Sequence, residues 1–379
     1  MANRKLPHWT GPAVLAGVVT VALVLFLTGW LASNSIRNRV LVPRADERPY
    51  DVEVVRTPTG SIVVAETEDA LRGGVWGFET ETTYTQFTGL LSRSETESEW
   101  ATVDYVGEPR PGGHGRFDVD AFPEDPGTAF GLGFEDRGAP GELGPLPAWL
   151  IDGRRSTWVI IVHGAGTDRH TQALRMIPEL VEAGYPVLVV GYRNDEGAPA
   201  DPSGLRLWGI REWRDLDAAA VLAEREGAQD YFLYAHDFGA EIVSMFLHES
   251  DRVGKVRGVV FDSGIYDLEG TLDYGKGSFG RLVGEMGQQV ARIRFGLEWS
   301  ELDQIARADQ FDVPILALHG VRDETAPIEF AEGFAAARPD LVRFERFEQG
   351  SHGALWNGDR ARYERSVISF MESLADAEE

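Results

Sequence analysis

Five short runs of nearly unbroken Val, Ile, Leu and aromatic residues punctuate the chain beyond its midpoint: 158–162 (WVIIV), 187–190 (VLVV), 231–234 (YFLY), 256–261 (VRGVVF) and 314–318 (PILAL). None has a polar face, so each predicts a strand covered on both sides. Between them, apolar residues recur at helical spacing and predict helices at 171–183, 212–226, 238–248 and 330–337. Such alternation gives an α/β fold, a mostly parallel sheet with helices on both faces. Ligands of open α/β sheets lie beyond the carboxyl ends of the strands, so the residues following each run carry the functional information.

Three strand ends carry chemistry, in the order nucleophile, acid, histidine. The run at 231–234 leads into Ala235-His236-Asp237-Phe238-Gly239-Ala240 and then a helix. Small residues two before and two after a central residue are what a sharp strand-to-helix elbow needs, which puts Asp237 at the nucleophile position and gives Ala235 and Gly239 structural roles. The run at 314–318 leads to Asp323 in a loop, and 344–347 leads to His352 in a glycine-flanked turn. Singly these are weak signals. An Asp before a helix often serves as an N-cap, a loop carboxylate is common, and a lone histidine is often structural. Their shared position at successive strand ends turns them into a constellation. His163-Gly164-Ala165-Gly166 follows the first run. There the N–H of Ala165 or Gly166 would form an oxyanion hole with the N–H of Phe238, and His163 and Gly164 would shape the loop. Its spacing matches neither a Walker motif nor G-x-G-x-x-G.

The other half of the chain differs in kind. From residue 6 to 36 there is no charged side chain, and 13–32 (AVLAGVVTVALVLFLTGWLA) is almost wholly apolar. About 20 such residues match the ~30 Å hydrocarbon core of a bilayer. Trp9 and Trp30 bracket the run, roughly 32 Å apart at the helical rise. A cleaved signal peptide is the alternative, but the run exceeds a typical h-region. Arg4 and Lys5 on one side nearly balance Arg37, Arg39 and Arg44 on the other, and the leaning is toward an extracytoplasmic domain. Residues 1–9 read as a short tail, 10–32 as the anchor and 33–50 as a polar connector. Residues 51–150 form a β-rich region, expected to supply the first antiparallel strands and an extra layer, with 122–147 as a loop. Residues 151–376 form the α/β domain, with a lid at about 265–310.

With 61 acidic against 36 basic residues, the net charge is −25, which repels nucleic acid. There is no cysteine, and no H-E-x-x-H or similar spacing, so no metal or other cofactor is expected. The expected partners are a small-molecule substrate and the bilayer.

From about residue 147 onward, the stretches PAWLIDG, VVGYRND, REWRDLDAA, VVFDS, PILALHG and GALWN resemble the α/β-hydrolase superfamily, most of all membrane-anchored actinobacterial esterase- or lipase-like hydrolases. The resemblance implies Asp237, Asp323 and His352 as a catalytic set. That group normally carries serine at the elbow in G-x-S-x-G-G, whereas this chain has AHDFGA. An aspartate elbow resembles haloalkane dehalogenases and soluble epoxide hydrolases, where a carboxylate attacks saturated carbon and forms a stable alkyl ester. Dehalogenases usually place Trp where Phe238 stands, and the two lid tyrosines of epoxide hydrolases would correspond to Tyr266 and Tyr274. Three activities stay open: a covalent Asp237 hydrolase acting on a small apolar alkyl halide or epoxide, an atypical esterase in which His352 activates water directly, and a silent hydrolase-fold binding or scaffold protein.

Overall fold

The computed structural model describes residues 10–44, 48–67, 73–166, 168–170 and 172–375, so Arg4, Lys5, Trp9 and Thr171 lie outside the described residues. The apolar run forms helix α1 (Thr10–Ile36), which continues through one π-helical turn (Arg37–Leu41). Among the described residues it is the one helix long and apolar enough to cross a membrane. Side chains from Ala13 to Leu27 are exposed, whereas Gly29 and Ser33 are buried and Leu41 is fully buried in the core of the α/β domain. The tail of the helix is stitched there by hydrogen bonds. The Arg206 N–H donates to the Leu41 carbonyl at 2.7 Å, and the Trp208 indole N–H donates to Val40 O at 3.2 Å.

Alternating residues in the next segment build six antiparallel strands, β1 (Val52–Arg56), β2 (Ser61–Ala65), β3 (Trp76–Thr80), β4 (Tyr84–Arg93), β5 (Glu97–Val106) and β6 (His114–Asp118). They close into a barrel in the order β1-β2-β5-β4-β3-β6. Its lumen is filled by rings: Phe78 stacks on Phe87 at 4.9 Å and Phe87 on Trp100 at 5.3 Å, with Phe117 edge-on to both Phe87 and Trp100. A closed barrel leaves no sheet edge, so this extra layer is a self-contained module.

A short helix, α2 (Pro126–Phe130), leads to strands β7 (Glu135–Gly141) and β8 (Gly144–Ile151). This hairpin occupies much of the stretch expected as loop. Its Gly and Pro residues obscure the strand pattern, but Pro140 lies in the edge strand β7, and Pro145 and Pro147 precede Ala148, where the pairing of β8 with β10 begins. The sheet continues with β9 (Thr157–Val162), β10 (Val187–Val190), β11 (Asp230–His236), β12 (Val256–Asp262), β13 (Ile315–Gly320) and β14 (Val342–Phe347). Its spatial order is β7-β8-β10-β9-β11-β12-β13-β14, antiparallel through β7, β8 and β10 and parallel from β10 onward.

Helices α3 (Ile177–Glu182), α4 (Trp213–Arg225), α5 (Phe238–Glu249), α6 (Leu268–Asp273), α7 (Ser278–Phe295), α8 (Ile328–Ala337), α9 (Leu355–Gly358) and α10 (Arg360–Ala375) follow. The helix expected at 171–183 is divided: Gln172 is left-handed at φ 64°, Ala173–Met176 is a 3-10 turn, and Pro178, which lacks an N–H, sits at the start of α3. One core packs α4, α5 and α8 against a sheet face, and a second packs α3 and α10 against the other. The barrel meets the sheet domain at Asn357 in α9, whose amide donates to Val75 O at 2.7 Å and Val119 O at 2.9 Å.

Candidate active site

Asp237 stands between β11 and α5 with φ 45° and ψ −119°. A non-glycine residue held there costs about 1–3 kcal/mol, so the surroundings must impose it. They do so through backbone. The Asp237 N–H donates to Asp262 O at 2.8 Å, and the Ala240 N–H donates to Asp237 O at 3.0 Å. Gly239 lies so close to β9 that a Cβ there would sit 2.5 Å from Val162 O. Ala235, two residues earlier, is fully buried in β11.

The Asp237 carboxylate is divided between two partners. Its Oδ2 accepts the Ala165 N–H at 2.9 Å, and the Phe238 backbone N–H lends the carboxylate further electrostatic support. Its Oδ1 lies 3.1 Å from His352 Nε2. This is not an ordinary N-cap, because the contacts run to another loop and a histidine rather than forward into the first turn of α5. On the far side of the imidazole, His352 Nδ1 is 2.8 Å from Asp323 Oδ2. The other oxygen of Asp323 accepts the N–H groups of Thr325 and Ala326, which fixes its orientation. Nearby, His319 Nε2 donates to Ala326 O at 2.7 Å. Asp237 and Asp323 are buried, while the His352 side chain keeps 22% of its surface exposed, so the imidazole faces the open side of the site.

Electrostatics follow from this geometry. Burial alone would raise the Asp237 carboxyl, but His352 and the N–H groups of Ala165 and Phe238 outweigh it and hold the group below the usual carboxylate value. Burial pulls His352 down, yet Asp237 and then Asp323 overcome it and hold the imidazole well above an ordinary histidine. At neutral pH Asp237 and His352 therefore rest as carboxylate and imidazolium.

The sequence-derived residues thus fall into distinct places. Asp237, Asp323 and His352 form one hydrogen-bonded line. The Ala165 N–H points at Asp237 and Phe238 opens α5 beside it, whereas Gly166 turns its carbonyl toward Arg206, which donates to Gly166 O and Ala165 O at 2.8 and 2.9 Å. Arg206 also stacks over the Phe238 ring, 4.6 Å from its centroid. His163 is buried behind the loop with Nε2 2.8 Å from Asp195, and Tyr192 donates its hydroxyl to Gly164 O at 2.7 Å. The two tyrosines go elsewhere. Tyr266 is buried and stacked on Phe334, and Tyr274 is half exposed and bonds Glu329.

Residues not foreseen from the sequence complete the frame. Gln172 is buried between the Gly164 and His352 loops: its Oε1 lies 2.6 Å from where a Cβ of Gly164 would be, and its Nε2 lies 2.3 Å from that of Gly353. That Oε1 has no hydrogen-bond partner among the described residues. The His352 loop is clamped by Arg175, which donates to Gly353 O at 2.7 Å, and by Ser263, whose Oγ accepts the Gly353 N–H at 3.2 Å. An arginine in a helical stretch or a serine after a strand carries no individual signal, whereas the dense VVGYRND motif already marked the segment of Tyr192 and Asp195. Among the described residues no group of three or more His, Cys, Asp or Glu is placed to hold a metal ion.

Neither a protein-family model nor a curated protein matches the sequence. Solved structures do match the fold. An esterase of Pyrococcus furiosus superposes with a TM-score of 0.53 at 20% identity, over 66% of this chain and 96% of that one. A puromycin hydrolase gives 0.51 at 18% identity, over 84% of this chain and 52% of that one. A puromycin-hydrolyzing peptidase of Mycobacterium tuberculosis gives 0.50 at 18% identity, over 83% and 54%. With the strand order and the elbow, these likenesses establish an α/β-hydrolase fold, preceded by a closed β-barrel and one apolar helix.

Proposed function

We propose that this chain is a membrane-anchored hydrolase that uses Asp237 as a covalent nucleophile on a small, largely apolar substrate with an electrophilic saturated carbon, an alkyl halide or an epoxide. The observation that carries this reading is the division of the Asp237 carboxylate, Oδ2 on the Ala165 amide and Oδ1 beside His352. Asp237 Oδ1 attacks the carbon, the carbon–halogen or carbon–oxygen bond breaks, and the leaving group departs with the electron pair. The product is an alkyl ester of Asp237. In the epoxide case the opened oxygen must also gain a proton.

The second step follows from charge. In the resting site the imidazolium is no base, because two carboxylates hold its proton. Alkylation removes the charge of Asp237 and with it the largest of the influences holding the His352 proton in place. The imidazole can then lose that proton to solvent and take one from water, Asp323 keeping its orientation. Hydroxide adds to the Asp237 carboxyl carbon, and the oxyanion forms on Oδ2, already placed on the Ala165 N–H. Collapse breaks the bond between that carbon and the ester oxygen, releasing the alcohol with Oδ1 and leaving a water oxygen in Asp237. Direct activation of water by His352, as in the esterase reading, needs a neutral imidazole beside an ionised Asp237, which the resting charges oppose.

The test is His352→Ala in the full chain, exposed to a panel of 1-haloalkanes, epoxides and nitrophenyl esters, with intact mass recorded. The expected result is a stoichiometric adduct on Asp237 from a haloalkane or epoxide, cleared by the unaltered protein. Ester turnover by the unaltered protein with no adduct in the variant would establish the esterase reading instead. Inertness of both across the panel would leave a binding role.

A further inference from the structure

Helix α7 carries Phe279, Leu282, Met286, Val290 and Ile293 at three-, four-, four- and three-residue intervals, which places them on one stripe. The end of α1 crosses the middle of that stripe. A Cβ on Gly29 would meet Val290 Cγ2 at 2.9 Å and Met286 O at 3.0 Å, and one on Gly287 would meet Ala32 Cβ at 2.6 Å, so glycine on both helices allows the close approach. Arg294 locks the crossing: its guanidinium stacks 3.7 Å from the Trp30 ring centroid and donates to Ser33 Oγ and Asn34 Oδ1 at 2.5 and 2.9 Å. The two ends of the stripe are left bare, with Phe279 80%, Leu282 52% and Ile293 85% exposed. Whatever surrounds α1 at the level of Trp30 also meets these side chains.

We infer that α7 is an interfacial helix that lies in the surface of the same bilayer α1 crosses, its bare apolar ends sunk beside α1 at the headgroup boundary. The inference rests on α1 being a membrane span. Three observations point to lipid as the occupant. The stripe is continuous with the apolar surface of α1. Trp30, an aromatic suited to the interface, marks the crossing. The polar side of α7 and its last turn carry Arg281, Arg292 and Arg294 against Glu285 alone, a basic bias in a chain of net charge −25, and such a bias suits anionic headgroups.

The chain has no cysteine, so single labels are unambiguous. Nitroxides are placed on full chains carrying Phe279→Cys, Ile293→Cys, Val18→Cys in α1, or Glu372→Cys on the exposed side of α10. Each is reconstituted in vesicles of phosphatidylcholine with one-quarter phosphatidylglycerol, and accessibility to oxygen and to a water-soluble nickel chelate is compared. The expected result is that the labels at 279 and 293 report a depth of about 5–10 Å below the headgroups, with 18 deeper and 372 in water. Labels at 279 and 293 as open to nickel as that at 372, with 18 still deep, overturn the inference while leaving the span intact. Labels shielded from both reagents and broadened by spin–spin coupling would assign the stripe to a second copy and overturn it too. A label at 18 in water would overturn both the span and the inference.

Discussion

The barrel and the open sheet use similar residues to opposite ends. In the barrel, Phe78, Phe87, Trp100 and Phe117 fill the lumen, and every strand is paired on both sides, so no sheet edge is left open. In the sheet, apolar strands are equally buried, but their carboxyl ends stop in loops, and Ala165, Asp237, Asp323 and His352 converge there. The filled lumen contributes stability, and the loops at the carboxyl ends of the parallel strands bring four polar groups together. The barrel reaches the frame of the site through Ala354, which packs in its core two residues beyond His352, through Asn357, and through Asp120 beyond the end of β6, whose carboxylate accepts the Gln172 N–H at 2.7 Å.

If this division holds, perturbations on the two sides should separate rate from stability. The largest effect is expected for Asp237→Ala, with a loss on the order of 10⁴-fold in kcat and little change in urea midpoint; retained turnover would remove Asp237 from the reaction. Trp100→Ala should do the opposite, costing about 3–5 kcal/mol of barrel stability while the folded fraction turns over normally. A matching loss of kcat would show that the barrel lumen is coupled to the site. Asn357→Ala sits between them: it leaves two carbonyls without their donor, at a cost of about 1–3 kcal/mol, and should lower kcat by loosening the His352 loop.

The smallest effect is a pH slope. The Asp120 carboxyl is pushed up to about 6, by burial first and then by Asp118. The folded protein holds that proton where the unfolded chain has released it, so this group makes stability fall as pH rises from about 4 to about 6. Asp120→Asn should flatten that part of the stability profile and leave the rate above pH 7 unchanged. An unaltered slope would mean that Asp120 is ionised throughout.

How much of this was legible beforehand depends on what each residue answers to. The parallel strands were, because a run such as WVIIV has no other soluble home. The elbow and the order of Asp237, Asp323 and His352 were, because a strained turn demands small neighbours at fixed offsets. Barrel closure was not, since alternation says that a strand is half-buried and not which strand it pairs with. The hairpin of β7 and β8 was hidden by glycine and proline that an edge strand tolerates. Gln172 and Arg206 were invisible because each acts on the backbone of a loop far away in sequence, and any pairing of that kind is written only in three dimensions.

Leu41 bears on how the protein can be handled and on how it moves. Because this residue at the foot of α1 is fully buried and its carbonyl is bonded to Arg206, α1 joins the domain as a fixed stem with no swivel. A chain cut at residue 45 would lose a core side chain and uncap the strap that holds Ala165 and Gly166, so a soluble version should begin no later than Arg37. By the same token, Asp237 and His352 keep one bearing relative to α1, where a flexible leash would let them sweep a cone.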